Sequence, residues 1–418
     1  MNEQQERRTE RYGRPGENRE GTGPERRRPR KKKPLIPTWA LVLLMAAFIL
    51  ACVLIAGRSG KEEPDYSKVG SAEHIPITPT PEPSGWDFVE NKDESVTNAL
   101  GSRVLILEKK PGMTLSVTED DYIHRTVQLT LTGMDSIAFS NDSFSAIKDG
   151  VYYSGLSAWS EDLPFTDISY YIAESETGDG TYTNTMTVTE PRVYEWRISE
   201  DSAHFYIDIY TPKELYDCIV VIDAGHGGDD VGCTYQDTYE KTVTLKYTEA
   251  IRAIAEQQSE IKYYFTRTTA DNLVEDYATA LQMRPDFANE VEADLFLSIH
   301  MNANESEKRN GTAVYYNEYM DSMDYSSLDF AKAVYYATIE VMGLKEDEIG
   351  AAAETLSITK YAKMPVALLE VGFLSNTGDF AVITNEEKIA EEAVALTDTI
   401  RAAFVEMGKL PEEETDEG

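Results

Sequence analysis

Four residues that are far apart in the sequence have the side-chain types that metal-assisted hydrolysis requires. His226 lies in a glycine-flanked turn, and His300 follows an apolar stretch. Glu240 and Glu370 are the accompanying carboxylates. Two imidazoles and one carboxylate form a zinc ligand set with an open coordination position, and a second carboxylate can act as a general base. We therefore predict that His226, Glu240 and His300 bind Zn²⁺. Glu370 is the predicted catalytic residue.

Three of these residues come at the ends of apolar, strand-like stretches. IVVIDA precedes the turn that contains His226, DLFLSI precedes His300, and PVALLE ends in Glu370. Parallel strands bring their carboxyl ends to one edge of an open sheet, where ligands bind. Glu240 begins a segment with apolar residues at helical spacing. We expect all four side chains to meet at this edge.

Strands and helices alternate in the predicted pattern over residues 214–408, which favours an α/β fold. The sheet is expected to be mainly parallel and twisted, with helices on both faces. Gly343 is the predicted stop of the third helix. The predicted strands are 218–222, 261–265, 295–299, 312–316 and 366–369, and the predicted helices are 240–257, 277–291, 325–342 and 386–407.

The motifs around these residues resemble those of the zinc-dependent N-acetylmuramoyl-L-alanine amidases. That family has D-x-G-H-G-G, a helical Glu, S-I-H-x-N-A and E-x-G-F-L-S-N, and all four occur in this order within residues 216–407. The resemblance implies that the third metal ligand is Glu240. It also implies a peptidoglycan substrate, which is cleaved at the amide between N-acetylmuramic acid and L-alanine of the stem peptide. We expect Glu370 to take a proton from the attacking water and pass it to the departing amine.

Several alternatives stay open at this stage. Asp237 is the fallback for Glu240, and Asp223 either orients His226 by a hydrogen bond or only ends its strand. Asn302 and Asn376 either fix loop geometry or contact substrate. The same metal chemistry would suit a zinc peptidase that acts on stem peptides. A non-catalytic wall-binding or activator protein is the other alternative.

Residues 86–213, which we call the β module, contain short β-branched and aromatic segments separated by turn residues. This pattern predicts an all-β, sandwich-like module. His124 and His204 have no partners at ligand spacing and are expected to be ordinary surface or core residues. The place of the module before an amidase-like segment resembles that of the β-sandwich targeting modules called AMIN. The resemblance implies peptidoglycan binding, and a structural or regulatory role is the alternative.

The first 85 residues divide into three segments of different composition. Residues 1–33 are rich in Arg and Glu and end in a basic cluster, so we expect disorder. Residues 34–57 are uncharged and long enough for a single transmembrane helix. The basic block before this helix predicts a cytoplasmic N-terminus, with the remainder outside the cell membrane and facing the wall. A cleaved signal peptide is the alternative. Residues 58–85 form a linker with a Pro/Thr run.

The net charge of −35 argues against nucleic acid as a partner. Cys218 and Cys233 flank the predicted first strand and turn, and either form a disulfide or stay as free thiols. Residues 302–353 include a stretch rich in Tyr, Met and Asp that could hold an autoinhibitory insert. Residues 409–418 are predicted to form an acidic, disordered tail. No protein regulator can be named from the sequence.

Overall fold

The computed structural model describes residues 101–156, 164–270, 277–318, 324–354 and 356–412. The predicted basic segment, transmembrane helix and linker (1–33, 34–57 and 58–85) lie outside the described residues. Within the described ranges, no helix combines the length and the apolar character needed to cross a membrane.

The β module contains two antiparallel sheets. Its strands are β1 (Arg103–Glu108), β2 (Thr114–Asp121), β3 (Thr126–Met134), β4 (Phe144–Lys148), β5 (Val151–Tyr153), β6 (Asp167–Glu174), β7 (Tyr182–Thr189), β8 (Glu195–Glu200) and β9 (His204–Tyr210). One sheet has the order β5-β4-β1-β9-β8 and the other β2-β3-β7-β6.

Alternation of apolar and polar residues explains why these sheets pack face to face. In β3, Val127, Leu129 and Leu131 are fully buried, while Gln128 and Thr130 between them are partly exposed. Leu129 and Leu131 share one apolar cluster with Phe205 and Ile207 of the other sheet. Two sheets around a common core have the architecture of a sandwich.

A short helix, α1 (Pro212–Leu215), leads into the second half of the chain, which is an α/β domain. Its remaining elements are β10 (Ile219–Ala224), β11 (Thr234–Tyr235), β12 (Thr238–Tyr239), α2 (Glu240–Ala255), β13 (Lys262–Phe265), α3 (Tyr277–Glu290), β14 (Leu295–Asn302), β15 (Thr312–Tyr316), α4 (Ser327–Met342), β16 (Glu346–Ala353), α5 (Ser357–Tyr361), β17 (Val366–Phe373), α6 (Thr377–Ile383) and α7 (Glu386–Glu406).

The six-stranded sheet of this domain has the order β13-β10-β14-β17-β15-β16. Four of its five strand pairs are parallel, and the β15–β17 pair is antiparallel. Helices α2, α4 and α7 pack on one face, and α3 and α5 contribute apolar residues to the other. The predicted α/β class is confirmed, with one antiparallel pair in a mainly parallel sheet.

The possible autoinhibitory insert within residues 302–353 stays a prediction, and one expectation about the end of the chain needs correction. The described residues 302–318 and 324–353 include β15, α4 and β16 with their connections. The tail does not begin at residue 409, because Lys409 contacts Asp294 at 2.5 Å and Leu410 packs against the core.

Candidate functional site

The strand pairing of the sheet places His300 beside Glu370. The two residues are direct partners in the parallel β14–β17 ladder. Ser298 and Leu368, two residues earlier on each strand, are buried. Because successive side chains alternate between the faces of a sheet, His300 and Glu370 lie on the same face.

His226 follows β10 in a turn of unusual backbone conformation, residues 225–232, which we call the His226 turn. His226 itself has φ of 63°, a value that non-glycine residues rarely adopt. Its backbone carbonyl accepts a hydrogen bond from Arg284 Nη2 at 2.6 Å. Strained residues of this kind persist where surrounding contacts hold them, and they cluster at functional sites.

Glu240 completes a three-residue group from the first turn of α2. Its Oε1 lies 3.0 Å from His226 Nε2 and 3.0 Å from His300 Nδ1. Candidate ligand atoms of the three residues all lie within 4.8 Å of one another. Among the described residues this is the one such group of His, Cys, Asp and Glu side chains. Two imidazole nitrogens and one carboxylate oxygen suit a divalent metal ion such as Zn²⁺.

Hydrogen bonds from the backbone hold the Glu240 carboxylate in place. Met301 N donates to Oε1 at 3.0 Å, and Cys233 N donates to Oε2 at 2.9 Å. Burial opposes ionisation of Glu240, but the two histidines hold its pKa well below the usual range. Burial also acts against the protonated His226 ring, while Glu240 and Asp230 raise its pKa overall. The site therefore keeps Glu240 ionised and ready to bind a cation.

Two polar atoms at this site have no partner among the described residues. His300 Nε2 and Glu370 Oε2 are both buried without a hydrogen bond. Burial raises the pKa of Glu370 to about 7. Buried polar atoms without partners are uncommon and point to a missing ion or water. These atoms, with the three-residue group, fit a metal ion and its water.

The four residues line an open cavity of about 410 Å³. One part of the lining is apolar and comes from Leu281, Ile358 and Leu368, on α3, α5 and β17. Apolar cavities with a few convergent polar groups are typical of small-molecule and substrate sites. The arrangement can therefore hold a substrate chain next to a metal ion and a carboxyl group of raised pKa.

The residue that orients His226 is Asp230 and not Asp223. His226 Nδ1 lies 2.7 Å from Asp230 Oδ2, an arrangement that leaves Nε2 facing Glu240. Asp223 is fully buried and instead accepts hydrogen bonds from Thr266 (2.5 Å), Ser298 (2.6 Å) and Arg284 (2.5 Å). The sequence offered one signal for this role, because Asp230 follows the turn histidine by only four residues.

Two buried arginines, which the sequence analysis missed, hold the backbone of the His226 turn. Arg284 Nη1 donates to the Ala224 carbonyl at 2.7 Å. Arg267 donates to the Ala224 and Gly225 carbonyls, each at 3.1 Å. They lie 58 and 41 residues from His226 in the sequence, so spacing alone could not reveal this role.

The remaining predicted candidates have structural contacts. Asp237, the fallback ligand, lies in the β11–β12 turn with φ of 60°. Asn302 lines the cavity, and its side chain accepts a hydrogen bond from Ala303 N at 2.8 Å. Asn376 caps α6 by accepting from Gly378 N and Asp379 N. His124 contacts Asp121 at 2.6 Å, and His204 lies 3.7 Å from Asp201.

Both described cysteines are free thiols, so the disulfide alternative is wrong. Cys218 is buried in the core, whereas Cys233 lines the cavity near Glu240. Burial, with Glu240 nearby, raises the pKa of the Cys233 thiol. The Cys233 thiol faces the Met301 carbonyl at 3.5 Å and is not part of the group formed by His226, Glu240 and His300.

The α/β domain is similar in sequence to known proteins. Residues 220–402 match the family described as N-acetylmuramoyl-L-alanine amidase. The probable cell wall amidase LytH of Staphylococcus aureus is 31% identical over 181 residues, which are 42% of this chain and 55% of that protein. The chain thus spans little more than half the length of this relative.

Solved structures also match the same part of the chain. The catalytic domain of CwlV, an N-acetylmuramoyl-L-alanine amidase from Bacillus (Paenibacillus) polymyxa var. colistinus, is 30% identical. The match covers 45% of this chain and 98% of that domain, with a TM-score of 0.40. An N-acetylmuramoyl-L-alanine amidase from Clostridium difficile is 25% identical, with 45% and 96% covered and a TM-score of 0.40. The family match covers residues 220–402, the segment that contains His226, Glu240, His300 and Glu370.

Proposed function

We propose that the protein is a zinc-dependent peptidoglycan hydrolase. Its reaction is cleavage of the amide between N-acetylmuramic acid and L-alanine of the stem peptide. The observation that carries this proposal is the group of His226, Glu240 and His300 beside Glu370 in one open cavity. The match of residues 220–402 to the family described as N-acetylmuramoyl-L-alanine amidase supports the choice of bond.

Each residue of the site has a defined part in the proposed reaction. His226, Glu240 and His300 would hold the metal ion, and the backbone donors to Glu240 keep its carboxylate in place. When bound, Zn²⁺ lowers the pKa of a water molecule and polarises the scissile carbonyl. Glu370 takes the proton from the attacking water and gives it to the departing amine.

The apolar side of the cavity suits the substituents next to the scissile amide. Leu281, Ile358 and Leu368 line it. The lactyl group and L-alanine each carry one methyl group beside this amide. Contact with these methyl groups would orient the carbonyl toward the metal ion, and orientation of this kind lowers the activation barrier.

The test is hydrolysis of isolated peptidoglycan by the purified protein, with and without a chelator. We expect chelator-sensitive release of new L-alanine amino groups and no new reducing sugar ends. Glu370→Gln should keep fold and zinc content but lower the rate by about 10²–10⁴-fold. Glu387→Gln, a change at an exposed carboxylate on α7, is the matched control.

Other products would replace the proposal with one of the alternatives. New amino termini from other stem residues would identify a zinc peptidase. Zinc binding without hydrolysis would favour a wall-binding or activator role. Near-normal turnover by Glu370→Gln would show that another group acts as the base.

We also propose, on sequence alone, that residues 34–57 anchor the protein in the cell membrane with the catalytic domain facing the wall. The uncharged length of this segment and the basic block before it support the proposal. Recovery of the full chain in the washed membrane fraction is the expected result.

Peptidoglycan binding by the β module is a separate proposal, and failure of the inactive Glu370→Gln protein to pellet with sacculi would contradict it.

A further inference from the structure

The β module is docked onto the α/β domain through the turn between β2 and β3. The Tyr122 ring from this turn packs edge-on against Tyr264, with ring centroids 5.2 Å apart. It also stacks on Phe287, with centroids 5.9 Å apart. Tyr122 Oη accepts a hydrogen bond from Phe265 N at 3.1 Å. One side chain of the module thus contacts both β13 and α3.

A second set of contacts joins the module to the end of α3. Arg125 donates to Glu290 Oε2 at 2.9 Å, and its guanidinium lies 5.5 Å from the centre of the Phe287 ring. Glu290 Oε1 accepts from Val193 N at 2.7 Å. Arg192 donates to the Glu290 carbonyl at 3.1 Å. The last turn of α3 is therefore held by two separate segments of the module.

The same helix carries one of the arginines that hold the His226 turn. Arg284 is three residues before Phe287, which is less than one helical turn. Its guanidinium bonds Asp223 Oδ1, the Ala224 carbonyl and the His226 carbonyl at 2.5–2.7 Å. A shift of α3 would move these donors relative to the metal ligand.

The other contacted element leads to the second arginine. Phe265 ends β13, and Arg267 follows it by two residues. Arg267 bonds the Ala224 and Gly225 carbonyls and also the Lys241 carbonyl, at 2.7 Å, in the first turn of α2. The module therefore contacts both elements that position the His226 turn and the start of the helix that carries Glu240.

We propose that the β module is a positioning part of the metal centre, acting through Tyr122 and the Arg125–Glu290 pair. These contacts fix α3 and the end of β13, and Arg284 and Arg267 transmit that position to the His226 turn. Tyr122, Arg125 and Glu290 are positioning residues, since none of them lines the cavity of the site. This inference rests on the proposed metal site and adds a second role for the module, apart from wall binding.

Packed interiors transmit displacement because they contain little free space. The path from Tyr122 to His226 consists of a ring stack, less than one helical turn and a set of charged hydrogen bonds. Changes along contiguous paths of this kind alter coupled binding by about 2- to 30-fold. We expect loss of the Tyr122 contact to weaken metal binding within that range.

The experiment compares the zinc affinity of the full-length protein with that of Tyr122→Ala and Glu290→Gln, by competition with a chromogenic chelator. Both variants should bind zinc about 2- to 30-fold more weakly. Amide hydrogen exchange should become faster in residues 224–232. Tyr122→Phe keeps the ring stack and should restore most of the affinity.

Tyr171→Ala is the matched control, because this tyrosine is 72% exposed on β6 and belongs to the same module. The Tyr171→Ala protein should have the zinc affinity of the wild type and the same rate of amide hydrogen exchange in residues 224–232. Unchanged zinc affinity in both Tyr122→Ala and Glu290→Gln would overturn the inference. Absence of zinc binding by the wild type would instead refute the proposed metal site. Glu290→Gln retains size and shape, so it still decides the question if Tyr122→Ala fails to fold.

Discussion

His226 is held from both its ring and its backbone. Asp230 accepts from the ring at Nδ1, and Arg284 donates to the backbone carbonyl. These contacts keep a left-handed residue in place and direct Nε2 toward Glu240. The orientation of the ligand is therefore built into the protein before a metal ion binds.

The Asp230 contact leads to a prediction about metal affinity. Asp230→Ala should weaken zinc binding by about 10–100-fold, the usual effect of losing a carboxylate that orients a ligating histidine. The fold should be retained, because Asp230 is only partly buried at the surface of the turn. Chelator competition measures the effect.

The neighbouring Asp229 provides the control, because it is exposed and has the same charge. Asp229→Ala should bind zinc like the wild type. If the two alanine variants lose affinity equally, the effect would come from net charge and not from the contact with His226.

Gly232 allows the turn to pass close to two ligands. A Cβ atom at this position would lie 2.5 Å from Glu240 Oε2 and 2.7 Å from His226 Cδ2. Gly232→Ala should therefore displace these ligands and abolish stoichiometric zinc binding, as measured by metal analysis after dialysis. Both distances are shorter than van der Waals contact, so the turn must move.

Gly178 separates this clash from backbone strain. It has a similar positive φ of 69°, but a Cβ atom added there would meet no atom of the described residues within 4 Å. Gly178→Ala should cost stability through strain alone and leave zinc content unchanged. Equal zinc loss in both variants would rule out the clash as the cause.

Helices and strands with a strong apolar pattern could be predicted from the sequence. The predicted helices 240–257 and 386–407 correspond to α2 and α7, and strand 312–316 has the observed bounds. Gly343 ends α4 with φ of 65°, as expected for a left-handed cap. Buried, periodic segments encode their own structure, so these predictions did not depend on distant contacts.

Elements whose structure depends on neighbours were missed. β16 has the sequence EDEIGAAA, without an apolar alternation, and pairs with β15 at the edge of the sheet. The five-residue helix α5 supplies Ile358 to the core and to the cavity. In the same way the motifs indicated the metal ligands, whereas Arg267 and Arg284 act through contacts that only the folded chain creates.

A buried carboxyl group in α7 gives a prediction about stability and pH. Glu392 is fully buried, accepts from Thr338 Oγ1 at 2.6 Å, and has one oxygen without a partner in the described part of the chain. Burial raises its pKa to about 7. Since the unfolded pKa is lower, its stabilising contribution is present at low pH and is lost as pH rises through about 7.

Glu392→Gln should remove this dependence, because the amide stays neutral. The free energy of unfolding of the variant minus that of the wild type should rise by about 1–3 kcal/mol between pH 5 and pH 8. Urea unfolding at each pH measures this difference. Glu387→Gln, in the exposed first turn of the same helix, should show no such difference. A constant difference between Glu392→Gln and the wild type would contradict the raised pKa.

At the scale of the whole molecule, one carboxylate joins three distant parts of the chain. Asp294 accepts from Lys213 at 2.8 Å, from Ile219 N at 2.8 Å and from Lys409 at 2.5 Å. These donors belong to α1 at the end of the β module, to the first strand of the α/β domain and to the segment after α7. Asp294 thus fastens both ends of that domain to the same point.

Loss of this carboxylate should destabilise the protein. Asp294→Asn should cost about 1–3 kcal/mol, because it weakens charged hydrogen bonds at a mostly buried position, and denaturant unfolding measures the cost. The exposed pair Lys110–Asp135 is the control, with side chains 49% and 68% accessible. Asp135→Asn should leave the stability close to that of the wild type, because exposed ion pairs contribute little.

Lys213 and Lys409 both contact one oxygen of Asp294, so the two ends of the α/β domain lie close together. Entry and exit of the chain lie side by side, at the edge of the sheet opposite to the cavity. A short peptide could join them, and new termini could then be opened in a surface loop. The same proximity would let this domain be inserted into a surface loop of another protein through two short connections.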